Sequence, residues 1–186
     1  MRIIAGAFRG RALSSVGKGD AGAHLRPTTD RVRESLFNVL AHTVEIPGAR
    51  VLDLFAGTGA LGLEALSRGA GHVTFVDNGR IAADLIRKNI ALTGSAEKTR
   101  FYRRDAARLN RNPDAPFDLI FLDPPYGMGM GQKALDSAGQ TGWIAPGALI
   151  VWEENAPMSA PPGYSVTDRR KYGDTHVTMM ARDDMA

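Results

Sequence analysis

Apolar residues along this chain fall into short runs and helical spacings that alternate. Residues 51–55 (VLDLF), 72–77 (HVTFVD), 99–102, 117–123 (FDLIFLD) and 148–152 read as five strands. Such near-continuous runs suit strands buried on both faces. Between them, residues 61–68 before Gly69, 81–92 before Gly94, and 132–138 have helical spacing. Strand–helix alternation predicts βαβ units and an α/β fold with a mostly parallel sheet, helices on both faces. The tail breaks the alternation. After a proline-rich turn at 157–163, residues 164–167 and 176–180 predict two strands joined by a basic loop, Arg169-Arg170-Lys171. With no helix between them they form an antiparallel edge, for seven strands in all.

The N-terminal quarter reads differently. Residues 2–13 predict two short strands, a small β-hairpin extension, around Gly6 and Gly10. Residues 14–23 are rich in glycine and serine and predict a mobile loop. Pro27 is followed by Thr28, Thr29 and Asp30, each able to cap a helix carrying Val32, Leu36, Val39 and Leu40. The expected division is an extension over 1–40 and a body over 41–186.

Composition narrows the chemistry. A chain of 186 residues with 44% apolar content can bury a core without staples. It has no cysteine, which removes disulfides, thiolate zinc sites and thiol nucleophiles. His24, His42, His72 and His176 are too scattered for a metal pair, so no metal is expected. No apolar run reaches membrane length and no secretory signal is evident, so a cytoplasmic protein is expected. Net charge is +3, and the first fifty residues hold eight basic and four acidic side chains. A basic arm suits a polyanion, although a merely solvated basic face gives the same count.

Gly57-Thr58-Gly59-Ala60-Leu61-Gly62 matches G-x-G-x-x-G between a strand and a helix. Asp77, eighteen residues past Gly59, ends the next strand, where a carboxylate can grip a ribose diol. Alone, this spells a dinucleotide site. Asp53 argues otherwise, because a carboxylate four residues before Gly57 would repel a pyrophosphate and attract a cation. S-adenosylmethionine (SAM) has a sulfonium, an ammonium and no phosphate, and fits better. Asp105, at the end of the third strand, can accept from an adenine amino group; a surface ion pair with Arg103 or Arg104 is the other reading.

The sharpest motif is Asp123-Pro124-Pro125-Tyr126 at the end of the fourth strand, the edge where open α/β sheets bind ligands. The prolines fix the backbone and remove two N–H donors, leaving carbonyls as directed acceptors. Phe-Ala-Gly-Thr-Gly followed by Asp-Pro-Pro-Tyr resembles the SAM-dependent methyltransferases of exocyclic nucleobase amines. Such an amine is a poor nucleophile until acceptors, here Asp123 and the Pro124 carbonyl, localise its lone pair. Tyr126 would stack on an extruded base. The glycine motif precedes the catalytic one, which excludes DNA amino-methyltransferases of reverse order, and the chain leaves little room for a target-recognition domain. Glutamine methyltransferases read Asn-Pro-Pro-Tyr, so Asp123 counts against a protein substrate.

The N-terminal segments Arg2-Ile3-Ile4-Ala5-Gly6, Arg9-Gly10-Arg11 and 25–38 (LRPTTDRVRESLFN), with 52–69 (LDLFAGTGALGLEALSRG), resemble the RsmD family over nearly the whole chain. These are bacterial 16S rRNA guanine-N2 methyltransferases acting at guanine 966. The resemblance implies a Rossmann-like SAM-dependent methyltransferase fold and a substrate within the assembling small ribosomal subunit, approached by a monomer. It places Asp53, Phe55, Ala56, Gly57, Thr58 and Gly59 around SAM, Asp77 and Asn78 at the ribose, and Asp105 and Ala106 at the adenine. Asp123, Pro124, Pro125 and Tyr126 would form the catalytic pocket. Arg2, Arg9, Arg11, Arg26, Thr28, Arg31 and Arg33 would hold RNA. Many members have Phe where this chain has Tyr126. The glycine-rich residues 127–131 predict a loop that orders only on RNA. Three alternatives stay open: an adenine-N6 or cytosine-N4 methyltransferase on other RNA or DNA, an NAD-dependent oxidoreductase, and a catalytically silent RNA-binding assembly factor.

Overall fold

The near-continuous apolar runs become the middle of one seven-stranded sheet in the computed structural model, which describes residues 1–16 and 28–184. In chain order the strands are β1 (Arg50–Leu54), β2 (His72–Val76), β3 (Thr99–Tyr102), β4 (Phe117–Leu122), β5 (Ile144–Glu154), β6 (Tyr164–Tyr172) and β7 (Thr175–Arg182). Their order across the sheet is β3-β2-β1-β4-β5-β7-β6. The first five run parallel, and β7 pairs antiparallel with both β5 and β6. Strand order reverses between β1 and β4, which opens a crevice at their carboxyl ends.

Four helices cover the sheet: α1 (Asp30–Leu40), α2 (Ala60–Ser67), α3 (Arg80–Thr93) and α4 (Met130–Gln140). Leu36, Phe37, Leu63 and Ile86 from the first three share one core with Val51, Val73, Phe121 and Val151. Ala134, Leu135 and Ala138 of α4 pack on Leu52, Leu54, Ile120 and Ile150 on the other face. Past β5, Met158 and Ala160 pack against that second face. No helix among the described residues is long and apolar enough to cross a membrane.

Several expectations need correction. The N-terminal segment folds back on itself as expected, but its ladder is short: the Ile3 N–H donates to the Arg11 carbonyl, Gly10 to Ile3 and Leu13 to Met1. Arg2 and Ala12 form a single antiparallel bridge. The N–H groups between these arms look elsewhere: Ile4 and Ala5 donate to the Glu64 carboxylate, and Ala7 and Phe8 to the carbonyl and hydroxyl of Ser67. A Cβ on Gly6 would stand 1.9 Å from the Ser67 carbonyl oxygen, so only glycine allows this approach to α2. Ile3 and Leu13 join the same core as Leu36, Phe37 and Leu40. The glycine-rich residues 127–131 are not all loop, because Gly129, in the left-handed region, starts α4 at Met130. Arg169-Arg170-Lys171 lie inside β6, and the reversal falls at residues 173–174. α1 starts as expected, with the Thr29 hydroxyl accepting from the Val32 N–H. The loop expected over 14–23 falls mostly outside the described residues, as does Arg26.

Candidate active site at the sheet crevice

β1 delivers Asp53 and then breaks into a turn. Phe55 takes a positive φ of 57°, costly for a residue with a side chain, and Gly57 and Gly59 follow at 59° and 78°. Gly62 lets α2 approach the sheet: a Cβ there would lie 2.5 Å from Phe75 and 2.7 Å from Val73. The Ala56 N–H donates to the Val76 carbonyl, and the Thr58 carbonyl accepts from Asn89 Nδ2 at 2.8 Å.

Two turn donors are bound to carboxylates. The Gly57 N–H donates to Asp77 Oδ2 at 2.9 Å, and the Gly62 N–H donates to Asp53 Oδ2 at 2.9 Å. In a dinucleotide site such donors face a pyrophosphate. Here acids occupy them, which disfavours an anion and leaves a negative lining. Asp77 also accepts from the Gly79 N–H at 2.8 Å, which fixes the bend before α3, and Asn78 is exposed beside it. On the same side, after β3, Asp105 caps a short 3-10 turn, Oδ1 accepting from Ala107 N–H at 2.9 Å, next to buried Ala106. Among the described residues Asp105 has no ion pair with Arg103 or Arg104.

β4 delivers Asp123 to the same edge, beside β1. Pro124 is buried, Pro125 is exposed and Tyr126 is half-buried. Among the described residues no backbone N–H donates to the Pro124 carbonyl. The Tyr126 hydroxyl shares a 3.3 Å hydrogen bond with Thr175 Oγ1 at the start of β7.

Two acidic residues at the crevice escaped the sequence reading. β5 lies beside β4 with Leu122 opposite Trp152, so Glu153 and Glu154 end next to Asp123. Glu153 is 3% exposed and accepts from Thr28 Oγ1 at 3.2 Å. Glu154 Oε1 accepts from the Gly127 and Asn155 N–H groups, both at 3.0 Å, and so anchors the loop after the catalytic motif. Two acids closing the fifth strand were the available signal. Burial pushes Glu153 up to about 7, partly offset by the Thr28 bond. Asp123 is raised well above the usual carboxylate range by burial, then by the charges of Glu153, Asp53 and Glu154. Asp53 is raised the same way by burial, with its Gly62 bond opposing and Asp77 and Glu153 adding. Among the described residues none of these acids has a cationic side-chain partner. The crevice is therefore built for a cationic ligand, and the donor set fits SAM.

The basic set separates. Arg2, whose N–H donates to Asp30, and exposed Arg31 sit by the start of α1, near Thr28 and the crevice. Arg9 lies in the turn of the N-terminal segment, whereas Arg11, beside the Ala12 that bridges Arg2, donates to the Leu92 carbonyl in the last turn of α3. Arg33 leaves the set. Its side chain is 0% exposed, with Asp30 at 3.0 Å, Glu64 at 3.7 Å and a bond to the Arg2 carbonyl. The reason is helical phase: Arg33, Leu36, Phe37 and Leu40 form the inner face of α1. Glu64, itself buried, ties that guanidinium and Arg68 to the backbone of Ile4 and Ala5.

Residues 1–181 match a family model described as Conserved hypothetical protein 95. The chain is 37% identical over 186 residues to Ribosomal RNA small subunit methyltransferase D of Escherichia coli K12, covering 98% of this chain and 90% of that one. The protein of the same name from Haemophilus influenzae is 35% identical over 93% of this chain and 89% of its own length. Among solved structures, yhhF from Escherichia coli superposes with a TM-score of 0.82 at 36% identity, covering 100% of this chain and 99% of that one.

Proposed function

Because the chain belongs to the RsmD family, whose model spans residues 1–181, we propose that it transfers a methyl group from SAM to the exocyclic N2 amine of guanine 966 in 16S rRNA of the small ribosomal subunit. One observation supports this most. The free acceptors Asp123 and Pro124 adjoin a glycine turn whose Gly57 and Gly62 N–H groups are bonded to Asp77 and Asp53. That combination suits a cationic cofactor beside an amine substrate, and it speaks against the oxidoreductase reading.

Asp53 would face the cationic methionine end, Asp77 and Asn78 the ribose, and Asp105 and Ala106 the adenine. When bound, SAM supplies an electrophilic methyl group on a sulfonium. The protein's part is positioning and electrostatics. Asp123, which burial and its acidic neighbours hold toward the protonated form, would be ionised once a cation sits beside it; its carboxylate then accepts one N–H of the guanine amine and the Pro124 carbonyl accepts the other. Both bonds pull the nitrogen from planarity and concentrate its lone pair. Positive charge grows on that nitrogen during attack, and the surrounding carboxylates stabilise it. The proton it sheds has an acceptor at Asp123. Tyr126, held at its hydroxyl by Thr175, offers its ring to the base. Residues 1–40, with Arg2, Thr28 and Arg31 nearest the crevice, would guide the RNA, and the ribosomal substrate places the protein in the cytoplasm.

The test is methyl transfer from labelled SAM to small subunits lacking this modification, followed by nucleoside analysis. Label in N2-methylguanosine at position 966 is the expected result. Label in methyladenosine or methylcytidine would keep the chemistry and overturn the base. No label on subunits or free rRNA would overturn the proposal.

A further inference from the structure

The basic trio Arg169-Arg170-Lys171 has no part in the site described so far, yet the sheet register carries it there. β5 ends at the crevice, and β7 runs back from that end with His176 opposite Glu154 and Val177 opposite Glu153. β6 returns toward the crevice with Arg170 opposite Val177 and Lys171 opposite His176. Arg170 therefore stands two strands from Glu153, about 10 Å at the usual strand spacing, and about 15 Å from the row of Asp123. The β6–β7 reversal is also tied to the catalytic motif through the bond between Thr175 and Tyr126.

All three cations are exposed. Arg170 pairs with Asp168 at 2.8 Å and stays 49% exposed, while Arg169 reaches the Met158 carbonyl at 3.3 Å. Lys171 has no ion pair among the described residues. β6 is the outer strand of the sheet, and cations are a common guard against edge-to-edge pairing. A guard would be spread along the edge. Here residues 164–167, the half of β6 far from the crevice, carry no charge, and the cations crowd the catalytic end.

We propose that the β6–β7 hairpin is a second RNA-contacting wall of the active site, with Arg169 and Lys171 holding backbone phosphates of the strand that flanks the target base. This rests on the proposed rRNA substrate. The wall extends outward from the place where Thr28 meets Glu153, because Glu153, Val177 and Arg170 stand in one row across β5, β7 and β6. Phosphate contacts of this kind position the strand and carry no sequence information.

The experiment replaces both cations, Arg169→Ser with Lys171→Thr, and measures retention of labelled 16S rRNA on filters across a series of salt concentrations. Two lost contacts to single-stranded RNA should flatten the slope of log K against log salt by about 1.4 and weaken binding ten- to thirtyfold at about 0.1 M salt. SAM affinity and thermal midpoint should stay at the unaltered level, and the charge-keeping pair Arg169→Lys with Lys171→Arg should bind as the unaltered chain does. Unchanged affinity and slope in the Ser/Thr variant would overturn the inference. So would new oligomers on size exclusion with RNA affinity intact, which would make the trio an edge guard. The readout needs no methyl transfer. An unaltered chain that methylates nothing but loses RNA on this substitution would refute the proposed activity and support the RNA wall.

Discussion

Replacing Glu153 by Gln tests the electrostatics of the crevice without removing a shape. Glu153 is 3% exposed and its proton leaves only at about 7, against a usual glutamate value of 4.5. The folded state thus keeps a proton that the unfolded chain has already released. Stability from this group is complete below 4.5 and falls as pH rises, with the loss complete above about 7. At about 1.36 kcal/mol per pH unit, the separation sets a ceiling of about 3.4 kcal/mol. Gln cannot ionise and can still accept from Thr28, so the variant escapes that loss. Urea unfolding of both proteins from pH 4.5 to 8 should show the stability difference, variant minus unaltered, rising by about 1.5–3 kcal/mol. The lower figure allows for relaxation around a buried charge. Asp123 should respond as well, since Glu153 is the largest of the charges that raise it. In the variant the acidic limb of the methyl-transfer rate should move to lower pH. Stability curves that stay parallel across this range, or a variant less stable than the unaltered chain at pH 8, would refute the reasoning.

Asp123→Ala should keep SAM binding, read by calorimetry, and lose most methyl transfer; near-normal transfer would remove Asp123 from the mechanism. Asp77→Ala should weaken SAM by about 1–3 kcal/mol, because it deletes a charged acceptor that also bonds the Gly57 and Gly79 N–H groups. Arg33→Ala should cost about 1.5–3 kcal/mol of folding stability by removing the buried bonds to Asp30 and the Arg2 carbonyl, Glu64 keeping Arg68 and two N–H donors, with no change in the salt slope of RNA binding for the folded fraction. A variant of normal stability with weakened RNA affinity would restore Arg33 to the RNA set.

The acid crevice also accounts for what the glycine motif alone left open. A G-x-G-x-x-G turn is compatible with pyrophosphate or with SAM. The choice turns on whether the turn's N–H groups are free, and at Gly57 and Gly62 they are bonded to acids. The same crowding of carboxylates makes a cationic ligand electrostatically complementary to the site and raises Asp53 and Asp123 in its absence. Ligand binding and proton release at this edge are therefore coupled.

Local pattern was enough for the parallel half of the sheet, for α2 and α3, and for both motifs. A strand buried on both faces must be apolar throughout, and a turn with positive φ must use glycine, so these features are written into adjacent residues. The failures share the opposite cause. Arg33 looked like a solvent-facing cation because what buries it beyond its neighbour Asp30, namely Glu64 and the Arg2 carbonyl, stands outside its helix. Residues 2–13 do fold back as a hairpin, but its short ladder was not foreseen, because Ile4, Ala5 and Phe8 donate to Glu64 and Ser67, some sixty residues away. Glu153 went unnoticed because its neighbour Asp123 is thirty residues distant in the chain, and parallel strand order alone makes them adjacent. The basic trio looked like a loop because β6 depends on its pairing with β7 for its length and on the register of β7 against β5 for its place. A periodicity records what a residue needs from its immediate backbone. Which distant charge or strand will meet it depends on how the packed layers bring far parts of the chain together.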